Sequence, residues 1–190
     1  MGNGRLAKGL SRVVFTTEAL QRRVRELAAE IEHDYRELLG EEVWERPVVA
    51  VGLLRGAVIF LADLVRAMEI PLEYDFISIS SYGDQTAPGE LKLIKDLEVP
   101  LEGRDVLIVE DITDTGRTLA YIRELLLQRG PRSLRICCLI DKVPRREVEV
   151  ELDYVGFRLE EDEFLVGYGL DYAGLYRNLP YVAALKPGLK

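Results

Sequence analysis

Val106-Leu-Ile-Val-Glu110-Asp111-Ile-Thr-Asp114-Thr-Gly116-Arg-Thr118-Leu119 holds the strand-to-helix turn on which the fold depends. An apolar strand over Asp105–Val109 ends in two carboxylates. A loop of small hydroxyl residues follows, and a helix over Thr118–Arg129 begins. In open α/β sheets, ligands bind beyond the carboxyl ends of the strands, where such a loop lies. Amides of Asp114 to Thr118 can turn inward as a nest, and the new helix adds its positive end. Together they suit a phosphate group, with the Thr115 and Thr118 hydroxyls as further donors. Gly116 lets the backbone approach that phosphate closely. Glu110 and Asp111 then stand where they can accept bonds from sugar hydroxyls or help hold magnesium. The same acids also fit a simple helix cap beside a solvated loop. Acid-rimmed phosphate nests occur in several kinds of nucleotide-binding protein. Neither Gly-x-x-x-x-Gly-Lys-Ser/Thr nor Gly-x-Gly-x-x-Gly occurs in the chain.

The flanking sequence alternates strand and helix. Val48–Leu54 reads as a buried strand, Ala57–Met68 as a helix with Pro71 beyond it, and Leu72–Ser80 as a second strand. Residues 81–90 form a polar loop, and Leu91–Lys95 is its return strand. Gly130 and Pro131 stop the helix of the decisive stretch, and Leu134–Ile140 is another strand. This alternation predicts a mostly parallel sheet covered on both faces by helices. Ahead of it, Leu20, Val24, Leu27, Ile31, Tyr35 and Leu38 form one face of a helix over Thr17–Leu39. Thr17 is its expected N-cap, and Gly40 lies just past its end. His33 falls off that stripe, on a solvated face. After Lys142 come short strands near Tyr154–Phe157 and Phe164–Gly167, rich in glycine and aromatics. The chain reads as one domain over 1–190. Its core spans about 40–145, and the segments near 1–16 and 146–190 form a small subdomain at one edge of the sheet.

Composition narrows the function further. A chain of 190 residues with 48% hydrophobic and 31% charged residues can bury a full core. Its net charge of −8 opposes nucleic-acid binding, which needs a basic face. No apolar run reaches the ~18 residues of a membrane span. The N-terminal Met-Gly-Asn-Gly-Arg-Leu has no apolar signal region, and Leu6 breaks a myristoylation motif. A cytoplasmic protein without membrane partners is expected. Cys137 and Cys138 are adjacent in an apolar run and so point to opposite faces, as buried small hydrophobes rather than a disulfide or metal pair. Many charges with only 2 Asn and 3 Gln would suit a thermophile, although 19 Arg against 6 Lys does not follow the lysine-rich trend.

Val-Glu-Asp-Ile-Thr-Asp-Thr-Gly-Arg-Thr-Leu resembles the phosphoribosyl-pyrophosphate signature of the hypoxanthine (hypoxanthine–guanine) phosphoribosyltransferases, type I phosphoribosyltransferases. The resemblance runs from about Val13 to Leu185 and includes Leu54-Arg-Gly-Ala, Ser80-Ser-Tyr-Gly83 and Asp141-Lys-Val-Pro-Arg145. It continues through Asp153-Tyr-Val-Gly-Phe157, Phe164-Leu-Val-Gly-Tyr-Gly-Leu-Asp-Tyr172 and Tyr176-Arg-Asn-Leu-Pro180. It implies purine salvage: transfer of a phosphoribosyl group to hypoxanthine or guanine, with Mg2+ and release of pyrophosphate. It also implies the roles. Asp114 matches the catalytic base, and Glu110 and Asp111 the pair at the ribose hydroxyls and a magnesium ion. Thr113, Asp114, Thr115, Gly116, Arg117 and Thr118 match the 5′-phosphate cradle. Lys142 matches the lysine that donates to the exocyclic oxygen of a 6-oxopurine. Adenine cannot accept that bond, and a site built round a hydrogen bond strongly rejects an analogue lacking it. Phe164 matches the aromatic stacked on the purine, and Leu165 the residue whose backbone reads its edge.

Further roles follow from the same resemblance. Arg55, Gly56 and Arg177 match the pyrophosphate site, and Asp171 matches a carboxylate near its magnesium. Ser81 and Tyr82 match a lid that excludes water from the activated sugar. The bond between Leu54 and Arg55 is expected to be cis, and a homodimer or homotetramer is implied. Two positions depart from the family pattern. Arg55 stands where most members carry lysine, and Glu163 where some relatives are basic. Arginine keeps the charge but changes the donor geometry. Two other readings share the fold. One shifts the preferred base to xanthine, or to guanine over hypoxanthine. The other is a regulator that keeps the phosphoribosyl site but binds RNA or a partner protein; the acidic balance, Asp114 and Lys142 count against it.

Overall fold

The structure, a computed structural model, describes residues 6–82 and 90–188. Of the lid loop expected at 81–90, residues 83–89 and the side chains of Ser81, Tyr82 and Glu90 lie outside the described residues; the backbone of Ser81 and Tyr82 continues one strand and that of Glu90 begins the next.

Six strands build the main sheet: β2 (Val48–Leu53), β3 (Leu72–Tyr82), β4 (Glu90–Lys95), β5 (Asp105–Thr113), β6 (Ser133–Lys142) and β7 (Tyr154–Leu159). Their order is β4-β3-β2-β5-β6-β7. Only the β3–β4 pair is antiparallel. The central strands are apolar on both sides because helices cover both faces. On one face, Val48 and Ala50 of β2 and Leu107 and Val109 of β5 pack with Leu20, Leu27, Ile31 and Tyr35 of α1 (Thr17–Leu39) and with Phe60 and Leu64 of α2 (Val58–Arg66). On the other, Val49, Val51, Val106 and Ile108 meet Leu119, Ile122 and Leu126 of α3 (Arg117–Leu127). Neighbouring strand residues thus divide between two cores, as the two-residue period requires. Cys137 and Cys138, mid-strand in β6, are both free and fully buried.

A second sheet joins the ends of the chain, in the order β1 (Leu10–Phe15), β9 (Val182–Leu185), β8 (Leu165–Val166), all antiparallel. Phe15 of β1 stacks on Phe157 of β7, with ring centroids 4.1 Å apart, and so ties this sheet to the larger one.

Several boundaries depart from expectation. The N-cap of α1 is Thr16, whose hydroxyl accepts from the Ala19 amide at 3.2 Å; Thr17 is the first helical residue and its hydroxyl donates to the Pro180 carbonyl. Strand β5 runs on through the acids to Thr113, because Ile112 and Thr113 still pair with Ile140 and Asp141. Strand β6 extends to Lys142 for the same reason. Tyr154–Leu159, expected within the terminal subdomain, is the edge strand of the main sheet, paired in parallel with β6.

Candidate active site

Strand β2 feeds α2 and then β3 on one side, while β5 feeds α3 and then β6 on the other. The crevice between β2 and β5 is therefore the switch point of the sheet, where α/β proteins bind ligands. Two adjoining cavities open there. One, of about 200 Å³, is lined by Glu110, Asp111 and the residues from Thr113 to Gly116, with Thr118. The other, of about 330 Å³, brings Arg55, Gly56, Lys142, Phe164, Leu165, Asp171 and Arg177 together. Asp111, Ile112 and Asp114 belong to both and form the shared wall.

The smaller cavity lies against the loop between β5 and α3, where the Arg117 amide donates to the Thr115 hydroxyl at 3.4 Å. Gly116 caps α3 with φ +83°, in the left-handed region that favours glycine. A Cβ there would stand 2.3 Å from the Val148 carbonyl oxygen. The loop is braced from behind, because the Thr115 carbonyl accepts from the Glu147 and Val148 amides, both at 3.0 Å. Arg146 adds a strut. Its guanidinium donates to the carbonyls of Asp114 at 3.2 Å and Thr113 at 3.4 Å, and pairs with the buried Asp141. Not every cradle residue faces the cavity with its side chain. Thr113 Oγ1 lies 3.0 Å from Cys138 Sγ, which donates to the Ile140 carbonyl, and the Arg117 guanidinium is tied to Glu147 at 2.6 Å.

The acids at the rim are held unlike ordinary carboxylates. Glu110 and Asp111 are each 8% exposed, and among the described residues no cationic side chain lies within ion-pair distance of either. Burial first, and then the charge of Asp111, keep the Glu110 carboxyl well above the usual range. Burial raises Asp111 as well, against the hydrogen bonds from Glu110 and the Ile112 amide. Gly56 presses on this pair: a Cβ at that position would stand 1.8 Å from Asp111 Oδ2. The Asp114 carboxylate is divided. Oδ2 lies 3.5 Å from the Arg145 guanidinium, while Oδ1 is buried without a hydrogen-bond partner. Buried polar atoms are nearly always bonded, so such an exception points to a task beyond packing.

The larger cavity takes its walls from distant parts of the chain. The Leu54–Arg55 bond is cis, and the exposed Arg55 side chain reaches the cleft. Arg177 pairs with Asp171 at 2.6 Å and donates to the Gly169 carbonyl; the other Asp171 oxygen accepts from the Gly174 amide at 2.7 Å. Tyr168, Ala173 and Tyr176 all have positive φ in this loop, a strained conformation for side-chain-bearing residues that the surroundings must enforce. The Tyr168 hydroxyl is fixed to Asp63 at 2.7 Å. Phe164 meets Tyr172 edge-on at 5.7 Å, and Leu165 is buried in β8. The Lys142 side chain, 5% exposed, pairs with Asp162 at 2.6 Å. Sequence reasoning missed Arg145, Arg146 and Asp162. The Arg-Arg pair after Pro144 was the one visible hint, and nothing local tells which arginine braces the loop.

No group of three or more His, Cys, Asp or Glu side chains converges to hold a metal among the described residues. A paired buried carboxylate that lacks a cation still fits magnesium, which commonly takes one or two carboxylates and completes its shell with substrate oxygens and water.

Comparisons with known proteins agree with this geometry. Residues 14–173 match the model of the phosphoribosyl transferase domain. The chain is 44% identical over 181 residues to the hypoxanthine-guanine phosphoribosyltransferase of Bacillus subtilis, covering 95% of this chain and 96% of the relative. It is 46% identical over 172 residues to the enzyme of that name from Aquifex aeolicus, covering 90% and 92%. A crystal structure of a hypoxanthine phosphoribosyltransferase from Staphylococcus aureus superposes with a TM-score of 0.89 at 43% identity, covering 98% of this chain and 97% of that one. The loop cavity at the switch point, the buried acids beside it and these likenesses agree: the chain belongs to the phosphoribosyltransferase family, among its hypoxanthine-guanine members.

Proposed function

We propose that the protein serves purine salvage by moving the phosphoribosyl group of phosphoribosyl pyrophosphate onto hypoxanthine or guanine, releasing pyrophosphate. One observation carries the assignment of roles: Asp114, whose buried Oδ1 has no hydrogen-bond partner, lines both the loop cavity and the cavity of Lys142 and Phe164. A sugar bound through its 5′-phosphate in the loop cavity would present its anomeric carbon along the shared wall, facing a base in the larger cavity.

Glycosyl transfers of this kind pass through a sugar carrying positive charge, as in glycoside hydrolysis. The chain's groups suit the demands of that state. The amides of Asp114 to Thr118, with the Thr115 and Thr118 hydroxyls, hold the phosphate. Glu110 and Asp111 accept hydrogen bonds from the ribose hydroxyls. The Asp114 carboxylate takes the proton on N7 of the base as the new bond forms. Lys142 donates to the exocyclic oxygen, Phe164 stacks on the purine and the Leu165 backbone reads its edge. Arg55, the Gly56 backbone and Arg177 hold the departing pyrophosphate. Glu110, Asp111 and Asp171 would be the magnesium ligands; when bound, the ion neutralises charge on the diphosphate. Ser81 and Tyr82 head the segment assigned to the lid. A homodimer or homotetramer in the cytoplasm completes the reading, and sedimentation will read the assembly.

The test is pyrophosphate release with hypoxanthine, guanine, xanthine and adenine, each with and without magnesium. Release with the first two, dependent on magnesium and absent with adenine, is expected. Equal turnover of adenine would remove Lys142 as selector. Preference for xanthine would move the substrate within the same fold.

A further inference from the structure

Lys142 ends β6 with its ammonium almost wholly out of solvent, and a buried ammonium needs a counter-charge to remain ionised at low cost. The carboxylate that meets it is Asp162, from the acidic run Glu160–Glu163 between β7 and β8. The residues on either side of Asp162 face a different cation. Glu161 and Glu163 both bond the Arg12 guanidinium of β1, at 2.5 Å each, with a further bond from Arg12 Nε to Glu163 at 3.1 Å. Two glutamates tied to the same arginine of the small sheet therefore flank the acid that meets the lysine. This also accounts for Glu163, an acid where some relatives are basic: here its charge is matched by Arg12.

We propose that Asp162 is the positioning residue that sets base selectivity, holding the Lys142 ammonium so that its remaining donors face the exocyclic oxygen of a 6-oxopurine, with Arg12 holding Asp162 in register. An ammonium has three donors and no acceptor. Committing one to Asp162 fixes the rotation of the other two, which on a flexible four-carbon stem would otherwise be spread over many directions. The inference rests on the proposed role of Lys142 in reading the base. It goes further by making selectivity depend on a side chain outside the base contact and on an arginine at the far end of the chain.

The experiment compares Asp162→Asn, Asp162→Glu, Arg12→Ala and Lys142→Ala for the Michaelis constants of base and phosphoribosyl pyrophosphate, and for turnover ratios of hypoxanthine to adenine. Asp162→Asn should raise KM for hypoxanthine and guanine about tenfold, the equivalent of about 1.4 kcal/mol. It should leave KM for phosphoribosyl pyrophosphate within about twofold and lower the hypoxanthine-to-adenine ratio. Asp162→Glu, which keeps the carboxylate, should recover most of the affinity, and Arg12→Ala should shift the base KM in the same direction by less. The proposal is overturned if Asp162→Asn leaves the base KM unchanged or raises both constants together, as a general loosening would. If Lys142→Ala itself leaves the base KM unchanged, the base-reading role fails; if only the Asp162 variants are silent, that role stands and this inference alone is lost.

Discussion

One strand, β5, carries buried acids at both ends with opposite fates. At its amino end Asp105, 2% exposed, is fully satisfied: Arg132 clamps both its oxygens and the Ser133 hydroxyl donates at 2.6 Å. At its carboxyl end Glu110 and Asp111 are also buried, but among the described residues neither is ion-paired; Asp111 feels only the charge of the more distant Arg177, and the nearby Asp114 keeps a buried oxygen without a partner. The same chemical group thus serves two ends. Where the fold supplies every partner, the acid anchors structure. Where it withholds them, the acid is left for a ligand, and the cost of that withholding locates the site.

Four substitutions and one binding experiment bear on this contrast. Asp114→Asn should lower turnover by ~10²-fold or more while phosphoribosyl pyrophosphate still binds, a typical contribution for a general base. Unchanged turnover at saturating base would remove Asp114 from the chemistry. Asp105→Ala should do the reverse. Breaking a buried pair costs about 3 kcal/mol, at the low end because Arg132 keeps part of its side chain in solvent. For a chain of this size that lowers the melting temperature by roughly 6–12 °C. Turnover at low temperature should stay near that of the parent, and a matching loss of activity would blur the two ends of the strand.

Glu110→Gln should change stability with the opposite sign. The raised carboxyls mean that the folded chain binds more protons than the unfolded one between the ordinary and the raised values. The ligand-free protein therefore loses stability as pH climbs through that window. Removing the charge relieves that cost, so a modest rise in melting temperature at neutral pH should accompany weaker phosphoribosyl pyrophosphate binding. In the parent, binding with magnesium should release protons, read by calorimetry in buffers of different ionisation enthalpy; heats independent of buffer would contradict the raised values. The smallest effect belongs to Asp75. Burial would raise this acid, but the amides of Phe76, Glu98 and Val99 and the Lys95 ammonium outweigh it and hold it below its usual range. Its contribution is present above the ordinary Asp value and lost as pH falls through the lowered one. Asp75→Asn should soften acid unfolding alone; altered stability on the alkaline side would speak against that account.

Much of this was legible in the chain itself. The three- and four-residue spacing of Leu20 to Tyr35 marked α1, and the apolar runs at Val48 and Val106 marked strands buried on both faces. Glu110, Asp111 and Asp114 stood out as a candidate site because a strand, a loop and a helix follow one another there, although the local pattern alone fitted a helix cap as well and the resemblance along the whole chain was needed to choose. What depends on remote pairing was not legible. Strand β5 seemed to stop where its residues turned polar, yet β6 continues to pair with it. Strands β1 and β9 are too short to show a period, and they find each other across most of the chain. Thr16 and Thr17 are equally good caps on paper, and only the backbone chooses. Arg146, Asp162 and Arg12 owe their importance to contacts made through space, and no local pattern distinguishes them from surface charges.

The two thiols of β6 have a consequence of their own. Burial pushes both well above the range in which thiolate forms, and neither is in a disulfide. The thiolate is the form that reacts, so alkylating reagents and mild oxidants should leave the folded enzyme untouched. Modification then waits for the central sheet to open. The rate at which iodoacetamide consumes Cys137 and Cys138 becomes a built-in clock for that opening, readable by mass spectrometry without any engineered probe.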